Sequence, residues 1–129
     1  MVTSLNTRTA AREAGYEFVQ YIAARAAPTG GVSVYSIKVG TLPAGAIILA
    51  ASTNVETAIT GSTPVFGIGT TPTGSEIAAT IALTAGSLNT VPLAALVMPL
   101  VADTDVYANI TGTATGDAYI IVQFVKPLA

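Results

Sequence analysis

Residues 105–126 of this chain read DVYANITGTATGDAYIIVQFVK, and this stretch decides the fold class. Its two ends, 105–111 and 118–126, are rich in β-branched and aromatic residues and are typical of β-strands. The segment between them, GTATGD at 112–117, is rich in turn-forming residues. The pattern predicts two antiparallel strands that are joined as a hairpin with a longer loop.

The second of these strands is apolar on both of its faces. One face carries Ile120, Val122 and Phe124. The opposite face carries Tyr119, Ile121 and Val125. A strand with two apolar faces is either central in a sandwich or covered by a neighbour. We therefore expect the second set of three residues to contact another subunit.

The sequence before this stretch continues in short β-branched runs separated by Gly, Pro, Thr and Asn, which predicts an all-β sandwich or barrel. Strands are expected at 32–39, 46–55, 64–70 and 77–83. In the strand at 46–55, one face is expected to hold Ile47, Leu49, Ala51 and Val55. The run at 91–101 contains two prolines, which predicts an edge strand or an irregular connection.

The first thirty residues differ from the rest, and they predict an N-terminal arm and linker (1–30) before a sandwich domain (31–129). The arm is expected to be extended, with a possible strand at 16–23. Arginine and aromatic side chains are enriched at protein interfaces. They predict a partner contact made by Arg8, Arg12, Tyr16, Phe18 and Tyr21. The alternative is that the aromatic residues pack on the sandwich while the arginines lie in solvent.

The composition indicates a surface that other protein covers. Only 9% of the residues are charged and 51% are hydrophobic, whereas a soluble domain carries roughly 25% charged residues. The net charge of −2 provides no positive field for a phosphate backbone, so nucleic acid is not an expected partner. The apolar stretches are shorter than the ~20 residues that span a bilayer, so no membrane contact is expected.

The chain contains no histidine, cysteine or tryptophan, and we expect no enzymatic activity, no cofactor and no metal. One alternative is a calcium site formed by Asp103, Asp105 and Asp117; the other interpretation of Asp103 and Asp105 is a turn that binds backbone N–H groups. A second alternative is a phosphate-binding loop at 67–74. In that segment Gly67 and Gly69 predict that another part of the protein packs closely on the strand.

Three segments resemble the small β-sandwich structural proteins of tailed bacteriophage particles, in particular the head decoration, or cement, proteins. They are IKVGTLPAGAI at 37–47, TNVETAI at 53–59 with the glycine-rich stretch at 61–70, and DTDVYANI at 103–110 leading to DAYIIVQFV at 117–125. The resemblance covers roughly residues 35–125. It implies a jelly-roll-like antiparallel β-sandwich.

The resemblance also implies a role and a location. Such a protein lies on the outer surface of the capsid after assembly in the host cytoplasm, and it bridges major capsid protein subunits, often as a homotrimer. The alternative is a carbohydrate- or receptor-binding sandwich of a head fibre or tail, which would use exposed aromatic residues such as Tyr107 or Tyr119.

Overall fold

The chain folds entirely from β-strands. The computed structural model describes residues 19–31, 33–79, 81–86, 89–91, 93 and 98–126, and these contain no helix. Because no helix is present there, none is long and apolar enough to cross a membrane. The strands are β1 (Gln20–Ala26), β2 (Val34–Leu42), β3 (Ile47–Gly61), β4 (Val65–Gly69), β5 (Asn89–Val91), β6 (Thr104–Thr111) and β7 (Ala114–Val125).

The strands form two antiparallel sheets that enclose the core. One sheet has the order β1-β7-β3-β5 and the other has the order β2-β6-β4. Each strand therefore lies in the sheet opposite to that of the strand before it. This alternation is the arrangement of a jelly roll, in which long connections cross between two packed sheets. The predicted all-β, jelly-roll-like sandwich is confirmed.

The expected hairpin at 105–126 is wrong. Both of its strands exist, as β6 and β7, but β6 pairs with β2 and β4, whereas β7 pairs with β1 and β3. The chain turns at Gly112, which has a φ of 84°, and passes directly from one sheet to the other. Both strands carry apolar residues that meet in the core between the sheets, and local pattern does not reveal which neighbour each strand selects.

A β-bulge changes which residues of β3 point inward. The register between β3 and β7 shifts between Ile48 and Ala50, so that Ile48 is buried while Leu49 is 47% exposed. The expected inward face with Ile47 and Leu49 is therefore wrong before the bulge. Beyond it, Ala51 and Val55 are buried as expected.

The predicted strand at 77–83 forms only an isolated bridge between Ala78 and Ile68. Its backbone nevertheless lies along β4, because Ile81 N donates to Phe66 O at 2.9 Å. Ile77, Ala78 and Ile81 are buried, so this segment occupies the position beside β4 without a regular ladder. The expected inward face with Ala79 is wrong, since Ala79 is exposed.

The remaining strand predictions agree with the structure. The strands expected at 32–39 and 64–70 are β2 and β4. The expected edge strand at 91–101 begins earlier, as β5, at the edge of its sheet. The strand expected at 16–23 is found as β1, which pairs with β7 along its whole length. Residues 16–18 lie outside the described part, and the division of the chain at residue 30 stays a prediction.

The core lies between the sheets, where Phe66 is the largest fully buried side chain. Thr53 on β3 is also fully buried, and its Oγ1 has no hydrogen-bond partner. A buried hydroxyl without a partner costs about 1–3 kcal/mol. The core therefore holds one polar group whose hydration is lost without replacement.

We expect Thr53→Val to raise the free energy of unfolding by about 1 kcal/mol, because valine keeps the shape and removes the unsatisfied hydroxyl. Urea denaturation measures this change. Thr60→Val on the same strand is the control, since Thr60 is exposed and its hydroxyl loses no water on folding. A Thr53→Val protein that is no more stable than the native chain would show that the hydroxyl is satisfied.

Candidate functional site

The outer side of the four-stranded sheet brings together most of the described residues that the sequence singled out. Strand alternation turns Ile120, Val122 and Phe124 into the core, where they are buried. The residues between them point outward. We call this surface the β1-β7-β3 face; it consists of Tyr21, Ala23, Arg25, Ala50, Ser52, Asn54, Asp117, Tyr119, Ile121, Gln123 and Val125.

The strand register orders these side chains in rows across the sheet. Ile121 lies between Ala23 of β1 and Ser52 of β3, so that small residues flank it on both sides. Tyr21 lies one row away, opposite Gln123, and is 68% exposed. Tyr119 lies one row away in the other direction, opposite Arg25, and is 39% exposed. The face is thus flat at its centre and has a tyrosine on either side.

Tyr21, Tyr119, Ile121 and Val125 were predicted as contact residues from two separate parts of the sequence, and the structure places all four on this one face. Their role as contacts stays a prediction. The other predicted contacts, Arg8, Arg12, Tyr16 and Phe18, lie outside the described residues.

The charges on the β1-β7-β3 face are confined to one end. Arg25 Nη2 lies 2.8 Å from Asp117 Oδ1, and the guanidinium carbon lies 5.9 Å from the centre of the Tyr119 ring. The hydrogen bond from Asp117 raises the pKa of Arg25, and Glu56 adds a smaller effect in the same direction. Glu56 is exposed on β3 beside this pair. This end therefore has two carboxylates and one guanidinium.

The Arg25–Asp117 pair gave no signal in the sequence. The two residues are far apart along the chain and meet only because β1 and β7 pair. The rest of the face has no charged side chain among its residues. An uncharged, flat, partly apolar sheet surface is suited to packing against protein rather than to chemistry.

The outer side of the three-stranded sheet is covered in part by the loop at 70–76. Asn109 is buried and its Nδ2 donates to Gly74 O at 2.7 Å and to Thr71 O at 3.0 Å, while Ser36 Oγ donates to Asn109 Oδ1. A Cβ at position 69 would overlap the backbone of Gly74. The close packing that Gly67 and Gly69 predicted on β4 is confirmed.

The alternative of a phosphate-binding loop at 67–74 is wrong. The Glu76 carboxylate already occupies the loop, where it accepts hydrogen bonds from Thr70 Oγ1 at 2.7 Å and from Thr70 N at 3.3 Å. A second anion would meet this negative charge. A shallow depression of about 100 Å³ beside the loop is lined by small uncharged residues, including Thr73, Ser75 and Thr111.

The alternative of a shared calcium site is also wrong, because the three aspartates have separate partners. Asp103 Oδ1 accepts from Ala44 N at 2.9 Å, which is the expected turn interaction. Asp105 Oδ1 lies 3.1 Å from Lys38 Nζ on the three-stranded sheet, and Asp117 binds Arg25 on the other sheet. Within the described part of the chain, no three acidic side chains cluster.

Acid is expected to destabilise the protein through two carboxylates. The hydrogen bond from Thr41, followed by Lys38, lowers the pKa of Asp105, and the hydrogen bond from Thr70 lowers the pKa of Glu76. A pKa that is lower in the folded state gives stability that is present above the unfolded pKa and is lost as the pH falls through the folded pKa. The melting temperature should therefore fall below about pH 4.

NMR titration of the Asp105 carboxyl carbon measures this directly. Its midpoint should lie below that of an aspartate in an unfolded peptide, and Asp105→Asn should flatten the acid side of the stability profile. An unshifted midpoint would contradict the hydrogen bond from Thr41.

Comparison with known proteins gives one structural likeness. No protein-family model matches the chain, and no curated protein matches it. A solved structure described as "Cyanophage Pam1 capsid asymmetric unit" superposes with a TM-score of 0.64 at 22% sequence identity. The match covers 89% of this chain and 87% of that chain. The likeness therefore concerns the fold over nearly the full length of both.

The structure separates the two tyrosines of the carbohydrate-binding alternative. Tyr107 lies on β6 in the three-stranded sheet, and Tyr119 lies on β7 in the four-stranded sheet. They point to the outside of opposite layers and do not form one aromatic platform.

Proposed function

We propose that this chain is a non-enzymatic structural protein of a phage virion, and specifically a head decoration, or cement, protein. In this role it lies on the outer surface of the capsid as a homotrimer and bridges major capsid protein subunits. It is assembled onto the particle in the host cytoplasm. The observation that carries the proposal is the uncharged β1-β7-β3 face, which exposes Tyr21 and leaves Ile121 without cover on an otherwise well-packed sandwich.

Two further facts support this proposal. The chain shares its fold with a structure whose title describes a phage capsid asymmetric unit. The exterior has few charges overall, since only 9% of the residues are ionisable to charged forms. A shell protein that is surrounded by neighbours needs less charge for solubility than a free monomer does.

The physics of a shell favours many modest contacts. Each subunit meets several neighbours, and symmetry repeats each contact, so that weak contacts add up to strong retention. In this arrangement Tyr119, Ile121 and Val125 contact an adjacent subunit. The N-terminal segment with Arg8, Arg12, Tyr16 and Phe18, together with Tyr21, contacts a neighbouring protein of the particle.

The non-enzymatic part of the proposal rests on what the candidate groups already do. The chain has no histidine or cysteine that could act as a base or nucleophile at neutral pH. The three aspartates considered for a site are each engaged by a different partner. Their roles are to fix a turn and to connect strands.

The experiment is to incubate the purified chain with phage capsids that lack it and to measure its copy number relative to the shell protein by quantitative mass spectrometry. We expect saturable binding at a copy number comparable to that of the shell protein. A few copies per particle would favour a tail or fibre location instead. No binding to capsids, combined with a glycan array that shows saturable binding, would overturn the proposal.

A further inference from the structure

We infer that the N-terminal segment of one copy lies across the β1-β7-β3 face of a second copy, with Arg12 beside Glu56 and Tyr16 over Ile121. This inference rests on the proposed role of the chain as a repeated subunit. It identifies which neighbour receives the segment, namely another copy of this chain. The argument follows from the size of the face, the direction of β1 and the spacing of side chains.

The β1-β7-β3 face is too small to hold two subunits together by itself. From Asp117 to Val125 it extends eight residues along β7 and three strands across, which gives about 400 Å² at the usual spacings. A stable complex buries about 800 Å² on each partner. Further area has to come from elsewhere in the chain, and residues 1–18 adjoin this face at the start of β1.

The direction of β1 carries the N-terminal segment away from its own face. β1 is an edge strand that begins with Gln20 opposite Phe124, near the end of β7. An extended segment before Gln20 therefore continues past the end of the sheet, with Arg12 about 25 Å beyond it. Glu56 lies at the other end of the face, next to Val55, which pairs with Ala118.

Reversal of the segment does not bring it back to its own Glu56. Gly15 is the one glycine among the first nineteen residues, and there is no proline among them. A turn there leaves Arg12 still outside the sheet and more than about 20 Å from Glu56, at ~3.3 Å per residue. The occupant of the face is therefore the segment of a second copy.

The segment has side chains that suit this face. Arg8, Arg12, Tyr16 and Phe18 are all even-numbered, so in an extended chain they point to one side, whereas Glu13 and Glu17 point to the other. One side thus combines cations with aromatic rings. The face offers an uncharged centre and, at one end, the carboxylates of Glu56 and Asp117 with only Arg25 to balance them.

The spacing of these groups also matches. Arg12 precedes Tyr16 by four residues, and Asp117 precedes Ile121 by four residues. An extended segment parallel to β7 with Tyr16 over Ile121 therefore places Arg12 at the acidic end. Phe18 then lies at the row of Gln123 and Tyr21, which pair across β1 and β7.

Disulfide trapping tests this arrangement, because the chain has no cysteine of its own. Arg12→Cys in one tagged chain and Glu56→Cys in another are produced together, purified reduced and then oxidised. Only contact between copies can join the two tags. Val65→Cys replaces Glu56→Cys in the control, since Val65 is exposed on the outer side of the other sheet.

We expect about tenfold more mixed disulfide with Glu56→Cys than with Val65→Cys, because docking raises the local concentration of one thiol near the other. Equal yields, or no disulfide with either, would overturn the inference. Charge reversal gives a second test: Glu56→Arg should weaken self-association, and adding Arg12→Glu should restore it. Failure of this restoration would also count against the inference.

The outcome is independent of the test of the proposed function. Cross-linking as expected in a protein that binds no capsid would overturn the decoration role and leave the exchange of segments intact. Capsid binding without cross-linking would do the opposite, and it would assign the N-terminal segment to the shell protein.

Discussion

Replacing Gly61 with alanine is expected to lower the free energy of unfolding by about 3 kcal/mol, close to 10 °C in melting temperature. Gly61 ends β3 opposite Ala114, and Ser62 N donates to Thr113 O at 2.9 Å. A Cβ at position 61 would overlap the carbonyl oxygen of Thr113. Because this obstacle is backbone, no rotamer change can relieve it, and the start of β7 has to move.

Gly31→Ala is the matched control, since a Cβ there meets no atom within 4 Å. Its stability should be unchanged or slightly higher, because alanine restricts the unfolded chain more than glycine does. Thermal and urea unfolding of the two variants measure the difference. If Gly61→Ala melts with the native protein, β3 and β7 do not approach each other at this point as the structure shows.

Replacing Ile121 with lysine is expected to weaken self-association by at least about 100-fold, because the substitution buries an unpaired charge in a dry contact. Ile121 is the apolar centre of the β1-β7-β3 face, between Ala23 and Ser52. The monomer should tolerate the change, since the side chain points away from the core. Sedimentation equilibrium measures the association constant, and thermal unfolding verifies the fold.

The control for this variant is Val65→Lys, which also places lysine on the outer side of a strand. Val65 is 53% exposed and belongs to the other sheet. Its association constant should remain within a few fold of the native value. Equal losses in both variants would mean that association depends on general charge rather than on this face.

The sequence predicted the parts of the fold that depend on local pattern. Alternation located β2, β4, β6 and β7, and the two apolar faces of β7 correctly indicated a central strand, since it lies between β1 and β3. It also identified Tyr119, Ile121 and Val125, which point outward together. These features depend on side-chain period, which each strand carries by itself.

The errors arose where distant contacts decide the structure. The choice of sheet for β6 and β7 depends on partners from other parts of the chain, which the turn at Gly112 does not specify. The bulge near Leu49 shifts the phase of β3 by one residue, and no local signal marks it. The Arg25–Asp117 pair joins residues that are remote in sequence. Pairing across the sheet created this charged end of the face.

The central claim is that the β1-β7-β3 face is covered by protein in the assembled state. Hydroxyl-radical footprinting with mass spectrometry tests it by comparing tyrosine oxidation in dilute and in assembled protein. Oxidation of Tyr21 and Tyr119 should fall several-fold on assembly, while that of Tyr107, on the other sheet, should stay constant. Undiminished oxidation of Tyr21 and Tyr119 in the assembled protein would contradict the claim.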